Sequence, residues 1–128
     1  HDFLAYLAEQ MIELNKAKGN ETKGFLKWLE REIGAEINIL TNKTAIKEYH
    51  DNDFNHLLDV LKKNKSRLSI DPSNRKTQEL LEKHFKKSMT VLAPLKEKIK
   101  ATDKLIDQIT YKLYGLTDEE IEIVEERR

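Results

Sequence analysis

Residues 81–113 read LEKHFKKSMTVLAPLKEKIKATDKLIDQITYKL, and apolar side chains recur in this stretch at intervals of seven residues. The a positions of the repeat carry Phe85, Leu92, Ile99, Ile106 and Leu113, and the d positions carry Leu95, Thr102 and Ile109, while Ser88 fills a further seam position. A helix with such a seam buries it against a partner helix. The stretch therefore predicts one long helix, which Pro94 is expected to kink or divide.

The N-terminal segment offers an antiparallel partner for this seam. Its apolar residues follow at spacings of three and four: Leu4, Leu7, Met11 and Leu14. This pattern predicts a helix from about Asp2 to Lys18 that ends at Gly19-Asn20. A second helix should follow, with Gly34 as a point where it could divide. Its apolar positions are Leu26, Leu29, Ile33, Ile37 and Leu40.

The middle of the chain alternates loops with helix starts. Residues 41–50 are polar and predict a loop with one helical turn around residues 45–49. Asp51, Asn52 and Asp53 can each cap the next helix, since a short polar side chain accepts from the free amides of a first turn. The apolar stripe of that helix is Phe54, Leu57, Leu58 and Leu61, and Leu68 could lie beyond its end. Asp71-Pro72 predicts the start of the long helix, with Asp as N-cap and Pro in the first turn.

The C-terminal end carries signals for one helix end and one helix start. Gly115 can adopt the left-handed conformation that ends the long helix. Thr117 and Glu120 fit a capping box, and Leu116 and Ile121 fit the hydrophobic staple around it. A short final helix is therefore expected. Beside this turn, Tyr111 and Tyr114 are expected to pack against neighbouring apolar residues.

The composition supports an all-α fold. Ala, Leu, Glu, Lys and Arg supply 62 of the 128 residues, as is typical of long helices. We expect a single domain over residues 1–128, built as an elongated antiparallel helical bundle or helical hairpin in which the long helix is centred on residues 75–114. The chain begins with His1 inside a periodic segment, which suggests a C-terminal fragment of a larger protein. No apolar stretch is long enough to span a membrane, and a cytoplasmic location is expected.

Residues that could carry catalysis are sparse. The chain has no cysteine, and no two of its four histidines have the i, i+4 spacing of helical metal ligands. The four glycines are scattered, which excludes a glycine-rich phosphate loop. His50, Asp51 and Asp53 could bind an ion or act as an enzyme site, but capping and solvation explain them better. We therefore expect no catalytic residue, no metal and no cofactor in this chain.

Basic side chains are concentrated in the middle of the chain. Residues 62–104 carry 13 basic and 5 acidic side chains, against 7 and 11 in residues 1–61 and 3 and 7 in residues 105–128. Nine of these cations are candidates for contact with the phosphates of duplex DNA: Lys62, Lys63, Lys65, Arg67, Arg75, Lys76, Lys83, Lys86 and Lys87. Contacts of this kind would position the protein without reading a base sequence. A solvated, ion-paired helix surface is the competing interpretation.

The stretch from Thr102 to Glu125, TDKLIDQITYKLYGLTDEEIEIVE, resembles the C-terminal end of adenine-specific DNA methyltransferases, including the type IIG restriction-modification enzymes. The specific part runs from Ile106 to Glu120. Similar strings upstream are FLKWLEREIG at residues 25–34 and LKEKI at residues 95–99. The resemblance implies a helical module that supports DNA target recognition beside the remainder of a parent polypeptide, which would bind S-adenosylmethionine. The family's catalytic and cofactor-binding motifs have no counterpart here, so no catalytic residue is carried over.

An alternative is a coiled-coil-like module for protein interaction or dimerisation. It would use the heptad seam to bind a second chain. A monomer in solution would favour the intramolecular hairpin, and a concentration-dependent dimer would favour this alternative.

Overall fold

The computed structural model describes residues 2–127, which form five α-helices and contain no strand. The helices are α1 (Asp2–Ile33), α2 (Lys43–Lys47), α3 (Phe54–Lys63), α4 (Arg75–Leu113) and α5 (Asp118–Glu126). Three short 3-10 helices lie between α1 and α4, at Ile37–Ile39, Tyr49–Asp51 and Lys65–Arg67. Within the described residues, none of the helices combines the length and apolarity needed to cross a bilayer. The all-α prediction is confirmed.

Helices α1 and α4 form an antiparallel hairpin. Trp28 of α1 stacks on His84 of α4, and Glu21 accepts a hydrogen bond from Ser88. Nearer the N-terminus, Met11 and Lys18 lie with Ile99 and Lys96 around one shallow groove. Residue numbers therefore fall along α4 as they rise along α1. The seam of α4 is covered by a helix of the same chain, as the hairpin prediction required.

The prediction that the first helix ends at Gly19-Asn20 is wrong, because α1 continues through both residues to Ile33. A glycine inside a helix costs about 1 kcal/mol relative to alanine. Buried positions on the same face, from Leu7 to Phe25 and Leu29, continue across Gly19 and Gly24. Packing against α4 therefore outweighs the low helix propensity of the two glycines.

Helix α1 ends instead at Gly34, whose φ of 69° is the left-handed conformation that glycine accepts readily. Its amide donates to the carbonyl of Glu30 at 2.9 Å. The carbonyl of Ile33 then accepts from the amide of Ser69 at 2.8 Å and from its hydroxyl at 3.1 Å. The Ser69 side chain lies so close that a Cβ at position 34 would stand 2.0 Å from its oxygen. This position therefore requires glycine for both conformation and space.

The short elements between α1 and α4 follow the predicted order. Asp53 is the N-cap of α3 and accepts from the His56 amide at 2.9 Å. All four residues of the predicted stripe of α3 are buried: Phe54, Leu57, Leu58 and Leu61. The helical turn expected around residues 45–49 is α2, which lies slightly earlier, over Lys43–Lys47.

The prediction that Asp71-Pro72 starts the long helix is wrong, because α4 begins at Arg75 with Asn74 as its N-cap. The Asn74 side chain accepts from the amides of Lys76 and Thr77 at 2.9 and 3.2 Å. Asp71 accepts instead from the amide of Ser73, two residues ahead, which forms a local Asx turn. A capping side chain can stabilise either a turn or a helix start. Asp71 accepts from the nearby amide of Ser73 and so stabilises the turn.

The heptad seam holds for most of α4 and fails at its end. Phe85, Ser88 and Leu92 are buried, but Leu113 is 52% exposed and Tyr111 is buried in its place. A straight α-helix drifts by about 20° for each heptad, so four heptads move the seam by about 80°. Pro94 does not divide the helix, which is continuous from Arg75 to Leu113.

The main hydrophobic core lies at one end of the hairpin, which we name the head. There α2, α3 and the 3-10 helices pack beside α1 and α4. The head core consists of 15 buried residues: Phe25, Leu29, Ile33, Ile37, Leu40, Ile46, Tyr49, Phe54, Leu57, Leu58, Val60, Leu61, Leu81, Phe85 and Leu92. At the other end, only Leu7 and Tyr111 are buried among the described residues.

The C-terminal turn forms as predicted. Gly115 has a φ of 65°, and its amide donates to the carbonyl of Lys112. Thr117 and Glu120 make both hydrogen bonds of the capping box, at 3.2 and 3.0 Å. Leu116 and Ile121 are half-buried. Tyr111 packs as expected, but the same expectation for Tyr114 is wrong, because its side chain is 78% exposed beyond the end of the seam.

Candidate nucleic-acid interface

The nine basic side chains predicted to contact DNA are all exposed, and they divide into two groups. Four have partners within the chain. Lys65 lies 3.8 Å from Asp71, Arg75 lies 2.9 Å from Glu79, and Lys86 lies 3.8 Å from Glu82. The guanidinium of Arg67 donates to the carbonyl of Ile39. Surface ion pairs contribute little stability, so the three lysine and arginine pairs could exchange a carboxylate for a phosphate.

The other five are Lys62, Lys63, Lys76, Lys83 and Lys87, and none of them makes an ion pair with the described residues. Lys62 and Lys63 end α3. Lys76, Lys83 and Lys87 are spaced by seven and four residues on α4, which places them on one face, away from the buried seam. At 1.5 Å per residue they span roughly 16 Å. We name these three side chains the α4 lysine row.

A second basic row, on α1, was missed by the division of charge along the chain. Lys16, Lys23, Lys27 and Arg31 are exposed and recur at spacings of seven and four, opposite the face that packs on α4. The acidic residues of the same segment hid this row in the net charge. Helical periodicity of the basic residues alone would have found it. Because each row lies away from the hairpin seam, one straight duplex can contact only one of them.

A cluster centred on Lys96 ties residues 50 and 51 to α4. The Lys96 ammonium donates to the carbonyl of His50 at 2.9 Å, to Asp51 Oδ1 at 2.8 Å and to His50 Nδ1 at 3.1 Å. Burial, together with the charges of Lys96 and Lys18, lowers the pKa of His50, although Asp51 opposes the shift. The hydrogen bond from Lys96 lowers the pKa of Asp51. The neutral ring accepts at Nδ1 when its proton is on Nε2.

The three residues considered as an enzyme site have different hydrogen-bond partners. His50 and Asp51 share the ammonium of Lys96, while Asp53 uses its carboxylate to cap α3. Across residues 2–127, no group of three or more histidine and carboxylate side chains is placed to hold a metal ion. The geometry of these side chains is accounted for by helix capping and by holding the 3-10 helix against α4.

A second polar group crosses the seam itself. Ser88 Oγ donates to Glu21 Oε2 at 2.7 Å, and the Tyr49 hydroxyl donates to Ser88 Oγ at 2.7 Å. Burial and the charge of Glu21 raise the pKa of Tyr49 to about 12, while the hydrogen bond to Ser88 acts in the opposite direction. A serine at a seam position was the one sequence signal for this group. Its partners come from elements far apart in the chain.

These two polar groups join α1, the 3-10 helix at Tyr49–Asp51 and α4. A hydrogen bond buried at a helix interface fixes the register of the helices, because a shift would leave its donor or acceptor unpaired. The outer face of α4 is thereby held at a defined position relative to the rest of the head. The candidate interface therefore consists of exposed cations on a helix that hydrogen bonds hold to α1 and to the 3-10 helix.

No curated protein and no solved structure matches this chain. One family model does match, and it covers residues 1–110, from α1 almost to the end of α4. The match stops before the turn at Gly115 and helix α5, so residues 111–125 of the stretch from Thr102 to Glu125 lie beyond it. Since the matched residues are most of the chain, the protein belongs to the family described as "Domain of unknown function (DUF8810)".

Proposed function

We propose that this chain is a non-catalytic helical module that supports DNA target recognition within a larger adenine-specific DNA methyltransferase or restriction-modification protein. The observation that carries this proposal is the α4 lysine row, three exposed ammonium groups without an ion pair among the described residues, on a continuous helix. Such cations bind phosphates by releasing counterions from DNA. The rest of the parent polypeptide is the module's main partner and supplies S-adenosylmethionine binding and chemistry, in the cytoplasm.

The proposed contact is to the DNA backbone alone. Base reading needs side chains that reach into a groove with matched donors and acceptors, and the α4 lysine row has only ammonium groups. The module would therefore add affinity and hold the orientation of the parent protein on the duplex. The sequence preference would come from other parts of the parent.

The test is the affinity of the chain for fluorescein-labelled duplexes of two unrelated sequences, measured by anisotropy at several salt concentrations. We expect similar weak binding to both duplexes. If three phosphates are neutralised, the logarithm of the binding constant should fall with the logarithm of salt concentration with a slope of about −3. The triple variant Lys76→Glu, Lys83→Glu, Lys87→Glu should abolish measurable binding.

The matched control reverses three lysines of the α1 row, in the variant Lys16→Glu, Lys23→Glu, Lys27→Glu. Both variants change net charge by the same amount, and all six positions are exposed. The control should retain most of the affinity. Equal losses in the two variants would mean that net charge alone drives binding, and an unaffected α4 variant would refute the proposed interface.

In the sequence alone, the heptad seam supported the alternative of a protein-interaction module. The structure weakens that support, because α1 of the same chain packs along the seam. A partner that used the seam would have to displace α1. An interaction role for this chain therefore needs a different surface.

A further inference from the structure

The end of the hairpin far from the head carries an unusual number of exposed apolar side chains. We name it the open end, formed by residues 2–15 of α1, the end of α4 with the turn that follows it (residues 105–117), and α5. Antiparallel pairing brings the start of α1 and the end of α4 together here. The exposed apolar side chains include Phe3, Tyr6, Leu113, Tyr114, Ile123 and Val124.

Eight of the eleven large apolar side chains that are exposed among the described residues lie in the open end. Phe3 and Tyr6 stack with ring centroids 6.4 Å apart, and both remain more than half exposed. A concentration of exposed apolar side chains in one region commonly marks a contact with another molecule. Aromatic side chains are also the ones that contribute most to protein interfaces.

Charge distinguishes the open end from the rest of the molecule. Residues 1–15 and 105–128 carry 3 basic and 10 acidic side chains, whereas residues 16–104 carry 20 basic and 13 acidic. The neutral chain is thus strongly polarised along the hairpin. Helix α5 contributes most of the negative charge, with Asp118, Glu119, Glu120, Glu122, Glu125 and Glu126.

We propose that the open end is the docking surface for a basic amphipathic helix of a partner polypeptide. A helix with an apolar stripe would cover the exposed aromatic and aliphatic side chains, and lysine or arginine beside that stripe would pair with the carboxylates. The acidic charge opposes contact with DNA and opposes pairing with the open end of a second copy. This proposal does not depend on DNA binding by the α4 lysine row.

The probe is a synthetic helical peptide of about 18 residues, with leucine along one stripe and lysine elsewhere, labelled for fluorescence anisotropy. Its twin has glutamate in place of lysine. We expect the lysine peptide to bind the full chain and the glutamate peptide not to bind. The double variant Tyr114→Ser, Ile123→Ser should weaken binding of the lysine peptide by at least about tenfold, because it removes central apolar contacts.

Two controls locate the site. The variant Ile39→Ser, Val91→Ser removes exposed apolar side chains outside the open end and should bind the peptide normally. Glu119→Lys with Glu122→Lys should weaken binding, while Glu97→Lys on α4 should have little effect. Circular dichroism of each variant checks that the helices are intact.

The proposal is overturned if the lysine peptide does not bind, or if the variant at positions 39 and 91 weakens its binding as much as the variant at positions 114 and 123. It is also overturned if sedimentation shows a dimer that Tyr114→Ser dissociates, since a second copy would then occupy this surface. A monomer whose peptide binding depends on Tyr114 and Ile123 supports it.

Discussion

The head and the open end are built on the same two helices, yet they are held together differently. In the head, α1 and α4 pack with a third layer of short helices, and 15 buried residues form a continuous core. At the open end the two long helices have little besides each other, and Leu7 and Tyr111 are the buried residues among those described. A heptad repeat is therefore enough to pair two helices but not to enclose a core.

The largest expected difference between the two regions concerns their buried leucines. Leu29→Ala removes a fully buried side chain from the head and should lower the free energy of unfolding by about 2–5 kcal/mol. Leu7→Ala at the open end should cost less than about 2 kcal/mol, because the few buried neighbours leave room for the site to collapse or admit water. Urea unfolding followed by circular dichroism measures both. Equal costs would show that the open end is as well packed as the head.

The two glycines with positive φ provide a smaller difference. Gly34→Ala meets both backbone strain and the Ser69 side chain, and should cost about 2–3 kcal/mol. Gly115→Ala has the same strain but open space, and should cost about 1 kcal/mol. Thermal unfolding of the two variants tests the comparison. Ser69→Ala combined with Gly34→Ala should recover part of the loss if the contact with Ser69 causes it.

The smallest difference concerns two buried tyrosines. Tyr49→Phe removes the hydroxyl that donates to Ser88 and should cost about 1 kcal/mol. The Tyr111 hydroxyl is buried without a hydrogen-bond partner among the described residues, so Tyr111→Phe should be neutral or slightly stabilising. Chemical unfolding at neutral pH measures both. A large loss for Tyr111→Phe would contradict the prediction.

Alkaline titration provides a further test of Tyr49. Because folding raises the pKa of Tyr49 from 10.0 to about 12, its contribution to stability is complete below pH 10 and is lost as the pH rises through about 12. The unfolding free energy of the unsubstituted chain should therefore fall more steeply over this pH range than that of the Tyr49→Phe variant. Parallel pH profiles for the two proteins would contradict the assignment.

Local signals allowed much of this fold to be predicted, and they failed where tertiary packing competed with them. The heptads of α4 before its last turns, the capping of α3 by one of three candidate residues and the turn from Gly115 to Glu120 depend on residues close in sequence, and they were predicted correctly. The local sequence around Gly19 predicts the end of a helix there. The helix continues because α4 packs across it, which local sequence does not reveal.

The candidate site was only partly predictable for the same reason. The nine cations were found from composition along the chain. The pairs Arg75–Glu79 and Lys86–Glu82 follow from i,i+4 spacing on a helix. The contacts of Lys65 with Asp71 and of Arg67 with the Ile39 carbonyl depend on the fold. The α1 row was hidden by averaging over acidic neighbours. The hydrogen-bonded group of Tyr49, Ser88 and Glu21 joins positions up to 67 residues apart, which no local pattern specifies.

The stacking of Trp28 on His84, with ring centroids 3.9 Å apart, makes the indole an optical reporter of one region alone. Trp28 is the only tryptophan of the chain, and it lies at the edge of the head core. Its emission spectrum therefore reports disruption of the head and does not change when the helices fray at the open end. Far-ultraviolet circular dichroism reports the helix content of the whole chain. A difference between the two melting curves would therefore measure how far the open end melts independently of the head.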